Sequence, residues 1–246
     1  MFSGLGFNAM ARQSGRIHRA WWQRPLRWLM ALCLVPVAVG VSWTVWDLLR
    51  RAGSSVDFWV PIVAGASVWV VIFSSLPRPM WLYVVGHELT HALWALLFGG
   101  RVKAFKATSK GGHVVLTKTN SLITLAPYFF PLYATLWVAG FLGAGWLLGW
   151  RRHLFWFHFG LGLTYAFHLT LTVAVLRVRQ PDLEGEGWIF SGVLIWLLHG
   201  VLLLVAMPFL VPELAPVSVL SLTGDRMLLI LRWLVNLMGM IFPNPG

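Results

Sequence analysis

The chain is poor in acid. Among 246 residues there are only 8 Asp and Glu, set against 19 Lys and Arg, and charged residues make up 11% of the whole. Soluble domains carry about 25% charged residues, so a solvated surface is excluded as the main environment of this chain. Cysteine is nearly absent too. Cys33 stands alone, which excludes a disulfide framework and a thiolate metal site. There is no internal repeat, no low-complexity tract and no linker of the kind that joins soluble domains.

What remains is apolar. Hydrophobic residues reach 58% and the mean hydropathy is +0.74. Long apolar runs fall at 28–46, 58–76, 80–98, 123–150, 154–178 and 188–211, each long enough to cross a hydrocarbon core of about 30 Å as a helix. Many of the 16 Trp lie near the ends of these runs, among them Trp28, Trp46, Trp59, Trp81, Trp150 and Trp188, as interfacial anchors do. The expected fold class is an all-α polytopic membrane protein of about six transmembrane helices. The net charge of +11 comes from basic residues in short segments flanking the runs. Anionic lipid headgroups are the nearer partner for them, and nucleic acid is not expected. A basic arm over 1–27 precedes the first run, with Arg12, Arg16, Arg19, Arg24 and Arg27 and no acid. It is read as retained, because no A-x-A cleavage site follows the run. Counted on alternate sides of six spans, the 19 Lys and Arg divide almost evenly, so the positive-inside rule leaves orientation open.

The third run holds the only concentrated chemistry. His87-Glu88-Leu89-Thr90-His91 is an HExxH motif inside an apolar stretch whose sole acid is Glu88. Histidines four apart share a helical face and suit one zinc ion, while the intervening glutamate suits a general base on zinc-bound water. An ionisable side chain at membrane depth costs about 2.5–3.5 kcal/mol even on the lenient insertion scale, so it points to function. After this run, a Gly99-Gly100 pair ends the helix. Segments 101–108 and 113–118, around Ser109-Lys110-Gly111-Gly112, read as a small β-hairpin within about 100–120.

A catalytic zinc takes three protein ligands and a water, so a third ligand must come from elsewhere. If the spans alternate, the hairpin and the acidic loop 179–187 lie on one side of the membrane. Asp182 is the leading candidate there, with Glu184 and Glu186 as competitors for the same place. His91 and His168 stand roughly 10 and 15 Å beneath that surface by helical rise. His168 is therefore a further candidate to ligate or to stabilise an oxyanion, while His158 and His199 read as interhelical hydrogen-bonding groups. In the tail 212–246, Asp225, Arg232 and Asn236 fall in one narrow helical sector among Leu, Ile, Val and Met, which reads as an interfacial amphipathic helix.

HELTHALWALLFGGRV, the following KGGHVVLTK, SLITLAPYFFPLY and the later acidic loop resemble the site-2 protease family of intramembrane zinc metalloproteases, in its compact members without a large soluble sensor domain. The resemblance spans roughly 80–194. It implies that His87, His91 and Asp182 bind Zn2+ and that Glu88 activates water to cleave a transmembrane segment of a membrane-protein substrate. Here Asp182 stands between Pro181 and Leu183 where the family has Leu-Asp-Gly. The implied organisation is a metalloprotease-like membrane domain over 28–211 between arm and tail, multi-pass, in a bacterial cell membrane. Two other readings compete. One is a catalytically inactive protein of the same fold that binds membrane segments, and the other is a haem-binding electron carrier using intramembrane histidines such as His168 and His199.

Overall fold

In the computed structural model the described residues are 23–52, 56–109, 111–148, 153–210 and 215–241. The arm up to residue 22, Lys110 of the hairpin turn, and 212–214 and 242–246 of the tail lie outside them. The elements run α1 (Gln23–Ala52), α2 (Val56–Ser75), α3 (Met80–Leu97), β1 (Val102–Thr108), β2 (Gly111–Leu116), α4 (Ser121–Phe129), α5 (Leu132–Leu148), α6 (Leu154–Leu176), α7 (Pro181–Glu186), α8 (Trp188–Leu210) and α9 (Pro216–Ile241). Thus the protein is helical with one small antiparallel sheet. The described residues form two compact units, one within 56–188 and the other within 23–52 and 189–241.

Four helices, α1, α2, α6 and α8, are long and apolar enough to cross a membrane, and α4 with α5 makes a fifth if that bent pair is one span. Six spans are expected from the apolar runs; four or five helices of the described residues meet that description. The difference lies at two places. Within α3, His87, Glu88 and His91 dilute the apolar character of an otherwise membrane-length helix. The run 123–150 is not one straight helix, because α4 and α5 meet at a 73° bend. Pro131 follows Phe130, whose φ of −99° and ψ of 108° are extended, as a residue before proline prefers.

In the first unit, α2 and α6 pack backbone to backbone. A Cβ on Gly65 would run into the carbonyl of Phe159, and one on Gly162 into the carbonyl of Ile62. Small residues permit such close approach where helices associate by packing rather than by leaving water. Trp69 Nε1 donates across the pair to Thr170 Oγ1 at 2.7 Å, and Trp69, Tyr83, Phe167, Leu171 and Val175 form a buried cluster. Gly65→Ala is expected to cost roughly 1–3 kcal/mol of stability through overpacking, to be read as a lowered unfolding midpoint in detergent. An unchanged midpoint would contradict this packing.

Local chemistry sets the ends of α3. The N–H of Gly100 donates to Ala95 O at 2.7 Å and that of Gly99 to Leu96 O at 2.9 Å, with Gly99 at φ +69°. This is the paired C-terminal closure that glycine makes without strain. The chain then turns directly into the hairpin, whose register runs from Val102↔Leu116 to Thr108↔Gly111 with an irregularity between Val102 and Ala104. Strand β2 begins at Gly111, not at 113, so Gly111 and Gly112 belong to the ladder rather than to the turn. Gly112 explains why: a Cβ there would sit 2.8 Å from Glu88 Cγ, Val84 Cγ1 and Lys106 O. Its missing side chain lets β2 lie against α3 at the motif.

The acidic loop 179–187 is also not a loop. Residues 181–186 form the short helix α7, with Pro181 in its first turn and Gly187 at φ +92° ending it. Proline fits a first turn because its φ is preset and no amide is needed there. Asp182 and Glu184 in that turn complement the positive end of the helix dipole.

In the second unit, α9 packs on α1. Met227 and Ile230 meet Gly40, Arg226 Nε donates to Asp47 Oδ2 at 2.8 Å, and the Arg226 guanidinium lies 4.6 Å from the centre of the Trp43 ring. Asp225, Arg232 and Asn236 are exposed on α9, while Trp196 of α8 donates to Ser42 Oγ at 2.8 Å.

Candidate metal centre

Helix α3 turns His87, Glu88 and His91 inward; all three are buried. The imidazole Nε2 atoms of His87 and His91 lie 3.2 Å apart. From 91 residues further on in the chain, α7 brings Asp182 Oδ2 to 3.5 Å from His87 Nε2 and 3.5 Å from His91 Nε2. For donors about 2.0–2.2 Å from a tetrahedral zinc, neighbouring donor atoms are about 3.3–3.6 Å apart. The triangle of 3.2, 3.5 and 3.5 Å therefore has the size of one face of such a site. Among the described residues, His87, His91 and Asp182 are the group of three that could hold a metal ion.

Electrostatics point the same way. His91 Nδ1 is 2.8 Å from the carbonyl oxygen of Ile123; a carbonyl only accepts, so Nδ1 carries a proton. In the neutral ring, Nε2 then presents a bare lone pair to a carboxylate oxygen, an arrangement that is repulsive unless a cation lies between. Burial pushes the Asp182 carboxyl up, and donation from the imidazoles, which needs a proton on Nε2, outweighs this and holds it well below the usual carboxylate range; where Nε2 is bare, only a cation between the groups can take that part. Asp182 therefore faces the histidines as an anion.

Helix α4 organises the centre from outside. Asn120 caps it by accepting from the N–H of Ile123 at 2.8 Å, which orients the first turn. Ile123 supplies the carbonyl for His91. Tyr128 donates its hydroxyl to Asp182 Oδ2 at 3.0 Å and sets its ring edge-on to His87, with centroids 5.4 Å apart. At the other end of α4, Ser121 Oγ donates to Glu186 Oε2 at 2.7 Å. Two hydroxyls seven residues apart on one face of α4 thus hold the two acids, four residues apart on α7, that bracket its length. Outer partners of this kind fix ligand orientation and tune affinity. If the cluster holds a metal ion, Tyr128→Phe is expected to weaken its binding by about 10-fold, measured by competition with a chelator of known affinity. Unaltered affinity would mean that the hydroxyl plays no part in placing Asp182.

The competitors for the third position are turned elsewhere. Glu184 faces Arg179, Oε1 to Nε 3.8 Å, and Glu186 accepts from Ser121. His168 is buried and lines a cavity of ≈ 20 Å³ beside His87 together with Tyr83, Tyr133 and Phe167, room for about one water. His158 packs edge-on against Phe58 at 5.1 Å, and His199 lies on α8 in the other unit. Tyr128 and the Ile123 carbonyl escaped sequence reasoning. Their only signal is an apolar helix with a tyrosine hydroxyl that, once buried, needs an acceptor.

Comparison with protein-family models, with curated proteins and with solved structures finds no match to this chain.

Proposed function

We propose that the chain is an intramembrane zinc-dependent endopeptidase that hydrolyses a peptide bond in or near a transmembrane segment of a membrane-protein substrate. One observation carries the reading: Asp182 meets both motif histidines at 3.5 Å, beside a buried Glu88, in a protein whose helices are long and apolar enough to span a bilayer. The ligands are His87 and His91 through Nε2 and Asp182 through Oδ2. Zinc, when bound, supplies Lewis acidity that polarises a carbonyl and brings the pKa of a water to about 7.

The residues of the chain do the rest. Glu88 takes the proton of the attacking water and passes it to the leaving amine. Ile123 and Tyr128 keep His91 and Asp182 from rotating away, so the ligand set is formed before substrate arrives. A peptide must be extended to be cut, since a helix shields its own peptide bonds, and each strand of a two-stranded sheet keeps one edge unpaired. Strand β1 is exposed from Val102 to Lys106, so a locally unwound substrate segment can pair there. Lys103, Lys106 and Lys118, all exposed, suit anionic headgroups beside that edge.

Zinc per chain, by elemental mass spectrometry on full-length protein purified in detergent without chelators, is the first test. It is paired with cleavage of a single-span reporter in liposomes. About one zinc per chain and chelator-sensitive cleavage are expected. Zinc without cleavage of any of a panel of spans would favour the inactive membrane-segment-binding relative. No zinc after reloading would remove the metal centre, and a Soret band would redirect the assignment to haem.

A further inference from the structure

Pro127 lies inside α4, four residues after Ile123. In an unbroken helix the amide of residue 127 donates to the carbonyl of residue 123. Proline has no N–H, and its ring crowds the carbonyl four residues back. The ladder on either side is intact: Thr124 N–H donates to Asn120 O at 2.9 Å and Phe130 N–H to Ala126 O at 2.8 Å. The gap falls on the carbonyl of Ile123. That is the oxygen 2.8 Å from His91 Nδ1.

The match is complementary in need as well as in place. Ile123 is 1% exposed, so water is a poor substitute for the missing helical donor, and a buried carbonyl without a partner costs about 1–3 kcal/mol. His91, for its part, requires an acceptor at Nδ1 if Nε2 is to be left for ligation. A competing amide at 127 would pull the carbonyl back along the helix axis, and its departure leaves the oxygen free to tilt toward α3. The proline does not break α4, which continues to Phe129; the bend comes later, at Pro131.

We propose that Pro127 is a positioning residue of the metal centre: by withholding the amide that would occupy the Ile123 carbonyl, it commits that carbonyl to His91 Nδ1–H and fixes the tautomer whose Nε2 faces Asp182. The role in metal binding rests on the zinc reading above; the tautomer lock stands on geometry alone. The test uses full-length protein labelled with ¹⁵N-histidine, with the His91 signals assigned by their loss in His91→Ala. In the native chain the His91 proton is expected on Nδ1 and shifted downfield by a strong hydrogen bond. In Pro127→Ala that proton is expected to move upfield, and zinc affinity by chelator competition to fall about 10-fold. Pro208→Ala, at a helical proline of α8, should leave both unchanged.

A neutral His91 whose single proton sits on Nε2 rather than Nδ1 in the native, metal-free chain overturns the proposal without any variant, so a poorly folding Pro127→Ala cannot shelter it. Pro127→Ala matching the native chain in shift and affinity overturns it as well. A native chain that takes up no zinc refutes the zinc reading, and the tautomer measurement on the same sample still decides the lock.

Discussion

Glu88→Gln is expected to lower cleavage by about 10²–10⁴-fold, the usual worth of a positioned general base, while zinc stays near one per chain. Glutamine keeps the size of the side chain but cannot take up the proton. Size matters here because Glu88 is 6% exposed and strand β2 lies against it, with the Cβ that Gly112 lacks falling 2.8 Å from Glu88 Cγ. Alanine at 88 would open a void beneath the hairpin and confuse loss of chemistry with loss of packing. Initial rates on a single-span reporter and zinc content on the same sample separate the two. Cleavage within a few-fold of native, at unchanged zinc, would end the general-base assignment.

Asp182→Ala is expected to do the opposite, removing zinc and activity together. Loss of an outer partner costs about 10–100-fold in metal affinity, and loss of a ligand should exceed that range. Two imidazoles 3.2 Å apart would remain without an anion to balance a divalent charge, and the Tyr128 hydroxyl would lose the carboxylate to which it donates at 3.0 Å. Glu184→Ala serves as the matched control two residues along, on the other side of α7. Its pairing with Arg179 is exposed, so removing it should leave zinc affinity nearly unchanged. Isothermal titration or chelator competition on both variants decides between them. Equal zinc affinity in Asp182→Ala and the native chain would return the third position to another residue.

Much of the molecule is legible in the chain because its signals are local. The Gly99-Gly100 pair ends α3 where Gly99 takes φ +69° and both amides close the last turn. The alternation after it gives a hairpin, and apolar length gives the long helices. What is misread depends on neighbours. Gly111 and Gly112 look like turn residues, yet they extend β2, because the cost of glycine in a strand is offset by close contact with α3. The segment 179–187 reads as an acidic loop, yet 181–186 of it folds as α7, whose two ends Ser121 and Tyr128 of α4 hold. The run 123–150 looks like one span, yet Pro131 splits it at 73°.

The sequence by itself determined the apolar helical class, the HExxH face on one helix, and the identity of three acids from which a partner could come. Each follows from composition or from spacing within a few residues, where helix geometry leaves little choice. Only the tertiary structure showed which of those acids stands beside the two histidines, and supplied the surroundings of the cluster. Asp182 lies 91 positions after His91, the Tyr128 hydroxyl reaches it across 54 positions, and the Ile123 carbonyl reaches His91 across 32. No periodicity encodes such separations, since they are set by how α4 and α7 dock against α3, and docking is a property of packed side chains rather than of any one segment.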